Sequence, residues 1–178
     1  MSKFEQYNII LKGLPESPVV KEFVLDDVFF KKIDSPEVQK GNVKAKVTIR
    51  KKENNTFELL FDLDGVILIP CDRCLDDMEQ PITYKENLLV KFGNAFSEED
   101  EMVVVPELEG AINIAWFLYE FIILNIPIKH VHQPGLCNKS MISKLKKHIA
   151  RSSDDDDDEN ALLELDDDDM GIDEIAED

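Results

Sequence analysis

Residues 57–74 read FELLFDLDGVILIPCDRC, and this stretch decides how the rest of the chain is organised. Apolar residues occupy every second position from Phe57 to Leu63, a pattern typical of a strand with one buried face. Asp64-Gly65 then separates this run from a second apolar run, and Asp-Gly between such runs is a strong hairpin signal. We therefore predict a turn at Asp64-Gly65 and a further strand, residues 66–70, that ends next to Cys71.

The same periodicity predicts a sheet on both sides of this stretch. Alternation from Val43 to Ile49 indicates a neighbouring antiparallel strand, joined to the first through a turn near Asn54. The pair Asp26-Asp27 also predicts a single helical turn that is capped by an aspartate. Further strands are predicted at residues 4–12, 19–25, 82–92 and 102–105.

Two helices complete the predicted fold. The apolar run 114–126 covers more than one helix face, which predicts a buried helix that Asn113 caps, that ends before Pro127 and that keeps Trp116 in the core. A short basic helix is predicted over residues 138–151. The predicted fold class is α+β: an antiparallel β-meander sheet of about six strands with one buried helix, a C-x-x-C turn, a short C-terminal helix and a disordered acidic tail.

The net charge of −18 lies mostly at the C-terminal end of the chain. Fifteen acidic residues and no basic residue follow Ser153, and taking these fifteen from the total leaves residues 1–153 with a net charge of −3. Because a run of like charges repels itself, we predict a domain over residues 1–151 and a disordered acidic tail over residues 152–178. An acidic chain does not bind nucleic acid by bulk charge, so any RNA contact is expected to be local or carried by a partner.

The hydropathy of the chain predicts no membrane association. The most apolar run, residues 112–128, is interrupted by polar residues and is too short for a bilayer. The first residues lack the apolar core of a signal peptide. We therefore expect a cytoplasmic protein.

The cysteines fall in two places that together suit a metal ion. Cys71 and Cys74 form a C-x-x-C pair, which in a tight turn aims both sulfurs at one point. His132 and Cys137 lie in a later, irregular loop and can complete a Cys3His shell, a set that zinc favours in structural sites. His130 lies two residues before His132, and the sequence leaves the choice between the two histidines open.

Three other interpretations of the C-x-x-C pair remain. The cysteines can be structural thiols without a ligand. A thioredoxin-type redox pair begins a helix beside a βαβ pattern, whereas here nearby acids are expected to raise the thiol pKa and Pro81 stops any long helix. A structural disulfide needs an oxidising compartment, which no signal peptide indicates.

Basic side chains mark two possible contact surfaces. The stripe between Lys44 and Lys52 is interpreted as a solvated outer face of the sheet. The predicted helix 138–151 is the concentrated positive segment beside the predicted metal site, and Arg73 stands between the two sulfurs of the C-x-x-C pair. The residues predicted to contact a partner are Arg73, Lys139, Lys144 and Lys147.

The sequence carries none of the common catalytic motifs, such as G-x-S-x-G, H-E-x-x-H, a P-loop or a dinucleotide fingerprint. A catalytic zinc keeps an open coordination position and a general base, and a full Cys3His shell has no open position. We therefore expect no enzymatic activity and no small-molecule substrate.

Three segments also carry a resemblance to a known family. They are the strand end with its C-x-R-C at residues 66–75, the helix end with Glu120, Ile122 and Pro127 in the pattern E-x-I-x-x-x-x-P, and the loop with His132 and Cys137. Together they resemble the YceD-like family, the large ribosomal RNA subunit accumulation proteins. The resemblance extends in order of elements over about residues 1–140. Many members resemble a fuller zinc ribbon, with further cysteines where this chain has Asn138-Lys139-Ser140.

The resemblance implies a role in the accumulation or processing of large-subunit ribosomal RNA without known catalysis. With the residues, it predicts a non-enzymatic assembly factor that binds pre-ribosomal RNA or a ribosomal protein through a zinc-clamped surface. The alternative is a thiol-based redox or metal-sensing protein. A third hypothesis is an acidic chaperone-like module in which the tail is the active part.

Overall fold

The structure, a computed structural model, describes residues 4–99 and 102–148. It is α+β, which confirms the predicted class. The strands are β1 (Asn8–Ile10), β2 (Val19–Leu25), β3 (Lys40–Lys51), β4 (Thr56–Pro70), β5 (Asp77–Gly93), β6 (Ser97–Glu99), β7 (Met102–Pro106) and β8 (Ala111–Asn113). The α-helices are α1 (Asp27–Ile33), α2 (Ala115–Leu124) and α3 (Lys139–His148).

A six-stranded sheet in the order β2-β3-β4-β5-β7-β6 forms the centre of the fold, and β1 pairs with β8 in a second sheet. The β2–β3, β3–β4 and β6–β7 pairs are antiparallel. β5 and β7 are parallel, with Leu89 opposite Met102. The prediction of a purely antiparallel sheet is therefore wrong at this pair. The parallel pair arises because β6 lies on the far side of β7 and runs opposite to both β5 and β7, so the chain reverses twice between these two strands.

β4 runs through Asp64-Gly65 without a break, so the turn predicted there is wrong. Its antiparallel pairing with β3 keeps a single register along its length. The turn predicted near Asn54 is confirmed: it joins β3 to β4 at Asn54 and Asn55, whose φ angles of 57° and 54° are left-handed, a conformation that asparagine tolerates. A Cβ atom on Gly65 would lie 2.3 Å from the backbone oxygen of Asn42. Glycine is needed here because two backbones approach closely, and no turn is involved.

An aspartate caps α1 as predicted, whereas the N-cap of α2 is Ile114 and Asn113 lies one residue before it. The Asp26 carboxylate accepts hydrogen bonds from the backbone N–H groups of Val28 and Phe29, each at 3.0 Å, at the start of α1. At the start of α2, the Asn113 side-chain oxygen accepts one from the backbone N–H of Ala115 at 3.1 Å. These bonds satisfy N–H groups that have no partner within the helix.

The apolar face of α2 packs in the core. Leu118, Tyr119 and Ile122 are buried, and the rings of Phe121 and Phe61 lie 5.1 Å apart. The core prediction is wrong for Trp116, whose side chain is 59% exposed. The buried positions recur with helical spacing, and Trp116 falls on the other face.

The chain divides into two compact units. Unit 1 comprises residues 1–69 and 79–128, and unit 2 comprises residues 70–78 and 129–178. The predicted domain boundary at residue 151 and the predicted tail, residues 152–178, lie outside the described residues. Among the residues that the structure describes, no helix has the length and apolar character needed to cross a membrane.

Candidate metal centre

The C-x-x-C pair lies in a tight turn directly after β4, within unit 2. The backbone N–H of Leu75 donates to the carbonyl of Cys71 at 2.9 Å, and the N–H of Cys71 donates to the carbonyl of Asp76 at the same distance. Leu75 takes a left-handed φ of 63°. These contacts curl the chain so that Cys71 and Cys74 are both buried.

Asp72 ties this turn to the loop that carries the histidines. Its backbone N–H donates to the carbonyl of His130 at 3.0 Å, and its carboxylate accepts from the backbone N–H of His130 at 2.8 Å. The Nε2 atom of His130 also lies 3.4 Å from the carboxylate. Asp72 thus fixes the position of the second half of the site.

The four predicted ligands come together as one cluster. The sulfurs of Cys71, Cys74 and Cys137 and a ring nitrogen of His132 all lie within 4.8 Å of one another. The sulfurs of Cys71 and Cys137 are 3.9 Å apart, and the sulfur of Cys74 is 3.4 Å from Nδ1 of His132. His130 lies outside this cluster. Of the two histidines that the sequence offered as the fourth ligand, the one in the cluster is therefore His132.

Two of these separations match those of a tetrahedral zinc site. With zinc–sulfur bonds of about 2.3 Å and zinc–nitrogen bonds of about 2.0–2.1 Å, two sulfurs lie about 3.8 Å apart and a sulfur and a nitrogen about 3.6 Å apart. The observed values of 3.9 Å and 3.4 Å are close to both. Three thiols and one imidazole form a donor set that favours zinc over hard cations such as magnesium. The residues present can therefore hold a metal ion.

Backbone N–H groups favour the thiolate form of Cys71. The N–H groups of Arg73 and His132 each lie 3.4 Å from its sulfur. Burial raises the pKa of the Cys71 thiol, but hydrogen bonds from three backbone N–H groups and from a side chain outweigh it and lower the pKa to about 6. The three N–H groups belong to Cys74, His132 and Arg73. The expectation that nearby acids raise the thiol pKa is therefore wrong for Cys71.

The pKa of the Cys137 thiol moves in the opposite direction. Burial raises it first, and hydrogen bonding and charge repulsion from the neighbouring cysteines raise it further, to about 11. In the absence of a cation, three thiols this close cannot all carry a charge at neutral pH. A bound divalent cation removes this conflict, because it stabilises all the thiolates together.

The described part of unit 2 has almost no apolar core of its own. Within its described residues only Cys71 and Cys74 are buried. A segment without a core needs another source of folding free energy, and a bound metal ion is a common one in small structural units. The geometry of the cluster and the burial pattern therefore both favour a metal ion at this site.

The predicted partner-contact residues are spread over unit 2. Arg73 is half-buried beside the cluster, and Lys139 and Lys144 are exposed on α3. Lys147 belongs to α3, but its side chain lies outside the described residues. The structure gives no partner contact for any of these four residues.

Three residues that shape the site were not predicted from the sequence: Asp72, Asp76 and Asn138. The Asn138 side-chain oxygen accepts from the backbone N–H of Ser140 at 3.1 Å and caps α3, while its amide nitrogen donates to the Asp76 carboxylate at 3.1 Å. An asparagine directly before a helix is a signal that could have identified the cap. No local pattern indicates the bonds made by the two aspartate side chains, because their partners lie 58 and 62 residues away in sequence.

Comparison with known proteins gives one finding. The family model described as "Large ribosomal RNA subunit accumulation protein YceD" matches residues 59–173, which is more than half of the chain. The match begins within β4 and continues past residue 140, where the resemblance noted in the sequence ended, into the acidic C-terminal stretch. No curated protein and no solved structure matches the chain.

Proposed function

This chain belongs to the YceD family of large ribosomal RNA subunit accumulation proteins, and from that membership we propose that it supports large-subunit ribosomal RNA accumulation during ribosome assembly. It acts without catalysis, in the cytoplasm, by binding pre-ribosomal RNA or a ribosomal protein of the large subunit. The observation that supports a binding role best is the Cys3His cluster in unit 2. A metal ion bound by such a cluster would fix the conformation of the neighbouring contact surface.

In this proposal the cluster binds one structural zinc ion. Cys71, Cys74, His132 and Cys137 supply all four ligands of a tetrahedral shell. A closed shell of this kind leaves no position for a water molecule or a substrate, and this supports the absence of zinc-based hydrolysis. The zinc contributes folding free energy to unit 2 and fixes the loop that precedes α3.

The proposed contact surface lies next to the cluster. Lys139 and Lys144 are exposed on α3, and Arg73 and Lys147 add positive charge to the same unit. Positive side chains on a fixed frame suit phosphate groups or an acidic protein surface. The acidic tail, residues 152–178, shields basic partners from premature contact in this proposal.

The test is sedimentation of a native lysate on a density gradient. We expect the protein to co-migrate with precursors of the large ribosomal subunit and a Cys71→Ser/Cys74→Ser variant to remain at the top. Leu136→Ser is the matched control, because Leu136 is 66% exposed in the same loop and is no ligand. A wild-type protein that stays at the top at low salt, even after crosslinking, would contradict the assembly role.

Metal analysis of the purified protein tests the proposed zinc site separately. We expect about one zinc ion per wild-type chain and a loss of most of it in the Cys71→Ser/Cys74→Ser variant. A variant that keeps the wild-type zinc content would show that the metal lies elsewhere. A zinc-free wild-type protein that still co-sediments would separate the assembly role from the metal.

The second candidate function is thiol-based redox or metal sensing. Three thiols within 4.8 Å of one another, with the Cys71 pKa lowered to about 6, favour it. Mild peroxide treatment distinguishes the two functions. Release of zinc with ready formation of a Cys71–Cys74 disulfide supports sensing, whereas retention of zinc supports the structural clamp.

A further inference from the structure

Unit 1 contains an open groove of about 600 Å³ that belongs to neither the metal centre nor the proposed contact surface. β5, β6, β7 and α2 contribute the side chains that line it. Its volume falls within the range of about 300–1,000 Å³ that is typical of binding sites in proteins.

The floor of this groove is apolar. Phe117, Phe121 and Leu124 recur with helical spacing along α2, and Met102 and Leu88 contribute from the strands. Leu124 is 70% exposed, so the groove presents apolar surface to solvent. The ring of Phe121 lies 5.1 Å from Phe61 and 5.9 Å from Tyr84, which anchors the helix side of the groove. The floor is therefore preformed.

The charged side chains that line the groove are all acidic. Glu86, Glu98 and Glu120 line it, and within the described residues no lysine, arginine or histidine does. The Glu86 carboxylate accepts hydrogen bonds from the Tyr84 hydroxyl at 2.6 Å and from the backbone N–H of Asn87 at 2.9 Å. These bonds hold the carboxylate in one orientation, and they lower its pKa below the ordinary value. Glu86 is thus kept ionised at neutral pH.

We propose that this groove binds a lysine- or arginine-rich peptide segment of a partner protein, with an apolar side chain of that segment seated on the floor. The three carboxylates that line the groove complement positive charge, and they repel the phosphates of RNA or of a nucleotide. The apolar floor needs an apolar anchor, which a simple polyamine lacks. The groove therefore adds a protein-docking site to the proposed assembly function and does not depend on the metal.

The binding test uses the full-length, zinc-loaded protein and a synthetic heptapeptide, Lys-Leu-Lys-Phe-Lys-Leu-Lys. Backbone amide resonances measured by nuclear magnetic resonance report both the affinity and the place of binding. We expect shifts at Leu88, Leu89 and Leu124. Two control peptides, Glu-Leu-Glu-Phe-Glu-Leu-Glu and Lys-Ser-Lys-Gly-Lys-Ser-Lys, remove the charge complement and the apolar anchor in turn, and both are expected to bind at least about ten-fold more weakly.

Substitutions in the groove test the assignment of residues. Glu98→Gln and Glu120→Gln are each expected to weaken binding by about three- to five-fold at low salt, and Leu124→Ala by at least about three-fold. Glu109→Gln is the matched single control, because Glu109 is exposed and does not line the groove. These side chains are at least partly exposed, so the variants are expected to fold.

The acidic tail requires its own control, because it also attracts basic peptides. Asp166→Asn/Asp167→Asn/Asp168→Asn removes three charges from the tail, and we expect it to leave the groove shifts in place. Shifts confined to the tail, equal competition by spermidine, or equal binding by the variants and the wild type would each overturn the proposal. None of these outcomes bears on zinc content or gradient sedimentation, so the docking site and the assembly role fail independently.

Discussion

At the scale of the residue, Asp72 determines which histidine is available to a metal ion. Its carboxylate accepts a hydrogen bond from the backbone N–H of His130 and lies 3.4 Å from the ring of that residue. His132 is left with Nδ1 at 3.4 Å from the sulfur of Cys74. The sequence could not resolve this choice, because Asp72 lies 58 residues before the histidine that it contacts.

A residue-scale prediction concerns the Tyr84–Glu86 pair on β5. The Tyr84 hydroxyl, followed by the backbone N–H of Asn87, lowers the pKa of Glu86 below its ordinary value of 4.5. Glu86 therefore contributes stability above about pH 4.5, and this contribution is lost as the pH falls through the lower pKa of the folded state. We expect Tyr84→Phe to lower the free energy of unfolding by about 1 kcal/mol at pH 7.

Denaturant unfolding between pH 7 and pH 3 checks this prediction. The difference between Tyr84→Phe and the wild type is expected to shrink as Glu86 becomes protonated. A difference that stays constant over the whole range would assign the loss to packing of the tyrosine ring instead of to the carboxylate. The Tyr84 ring lies 5.9 Å from Phe121, so packing is the relevant competing cause.

At the scale of the element, the continuity of β4 depends on Gly65. A Cβ atom at this position would lie 2.3 Å from the Asn42 oxygen and 2.6 Å from the Val43 Cα, both backbone atoms that cannot move aside alone. We expect Gly65→Ala to lower the free energy of unfolding by about 2–3 kcal/mol, because β3 and β4 must separate locally. Val66→Ala, at a neighbouring position that is 36% exposed, is the matched control and is expected to cost less than about 1 kcal/mol.

Chemical denaturation of the two variants under the same conditions measures both values. Equal stabilities for Gly65→Ala and Val66→Ala would show that the backbones of β3 and β4 have room to move apart. Such a result would contradict the close approach described above.

The same strand shows what the sequence can and cannot predict. The alternation of Phe57 through Leu63 correctly indicates a strand, and Ile67 and Ile69 continue it in the same phase, with both side chains buried. The Asp-Gly signal outweighed that phase in the prediction, although Asn54 and Asn55 already supply a turn. The phase of the apolar alternation predicts this strand better than the Asp-Gly dipeptide does, because a one-residue slip would turn every side chain to the other face.

The parallel pairing of β5 with β7 is an element-scale feature that no local pattern predicts. Alternation indicates that a segment is a strand, but it carries no information on which strand lies beside it. The neighbour of β5 depends on where the short β6 lies, on the far side of β7. By contrast, the aspartate cap of α1 and the Cys3His set were predictable, because each depends on residue types with a specific chemistry.

At the scale of the whole molecule, the two units differ in what stabilises them. Unit 1 contains the sheet and the apolar core, whereas the described part of unit 2 buries only Cys71 and Cys74. We therefore expect metal removal by a chelator to unfold unit 2 while the β3–β4 pair keeps its hydrogen bonds. Amide exchange in residues 70–78 and 129–137 is expected to accelerate by at least about 100-fold, with little change in β3.

Hydrogen–deuterium exchange followed by mass spectrometry measures this difference directly. Addition of zinc back to the chelated protein is the control and is expected to restore the slow exchange. If the sheet amides of unit 1 accelerated to the same extent, the metal would be supporting the entire fold. If neither unit changed, the hydrogen bonds around Asp72 would be sufficient to hold unit 2 together.

The separation of the ligands along the chain also has a consequence for synthesis of the protein. Cys71 and Cys137 are 66 residues apart, and translation proceeds at about 5–20 residues per second. Each nascent chain therefore carries the Cys71–Cys74 pair without the other two ligands for about 3–13 s. During that interval the pair can be oxidised or can capture a metal ion loosely. If the cluster binds zinc as proposed, zinc supply and redox conditions at the time of translation are expected to set the yield of correctly loaded protein.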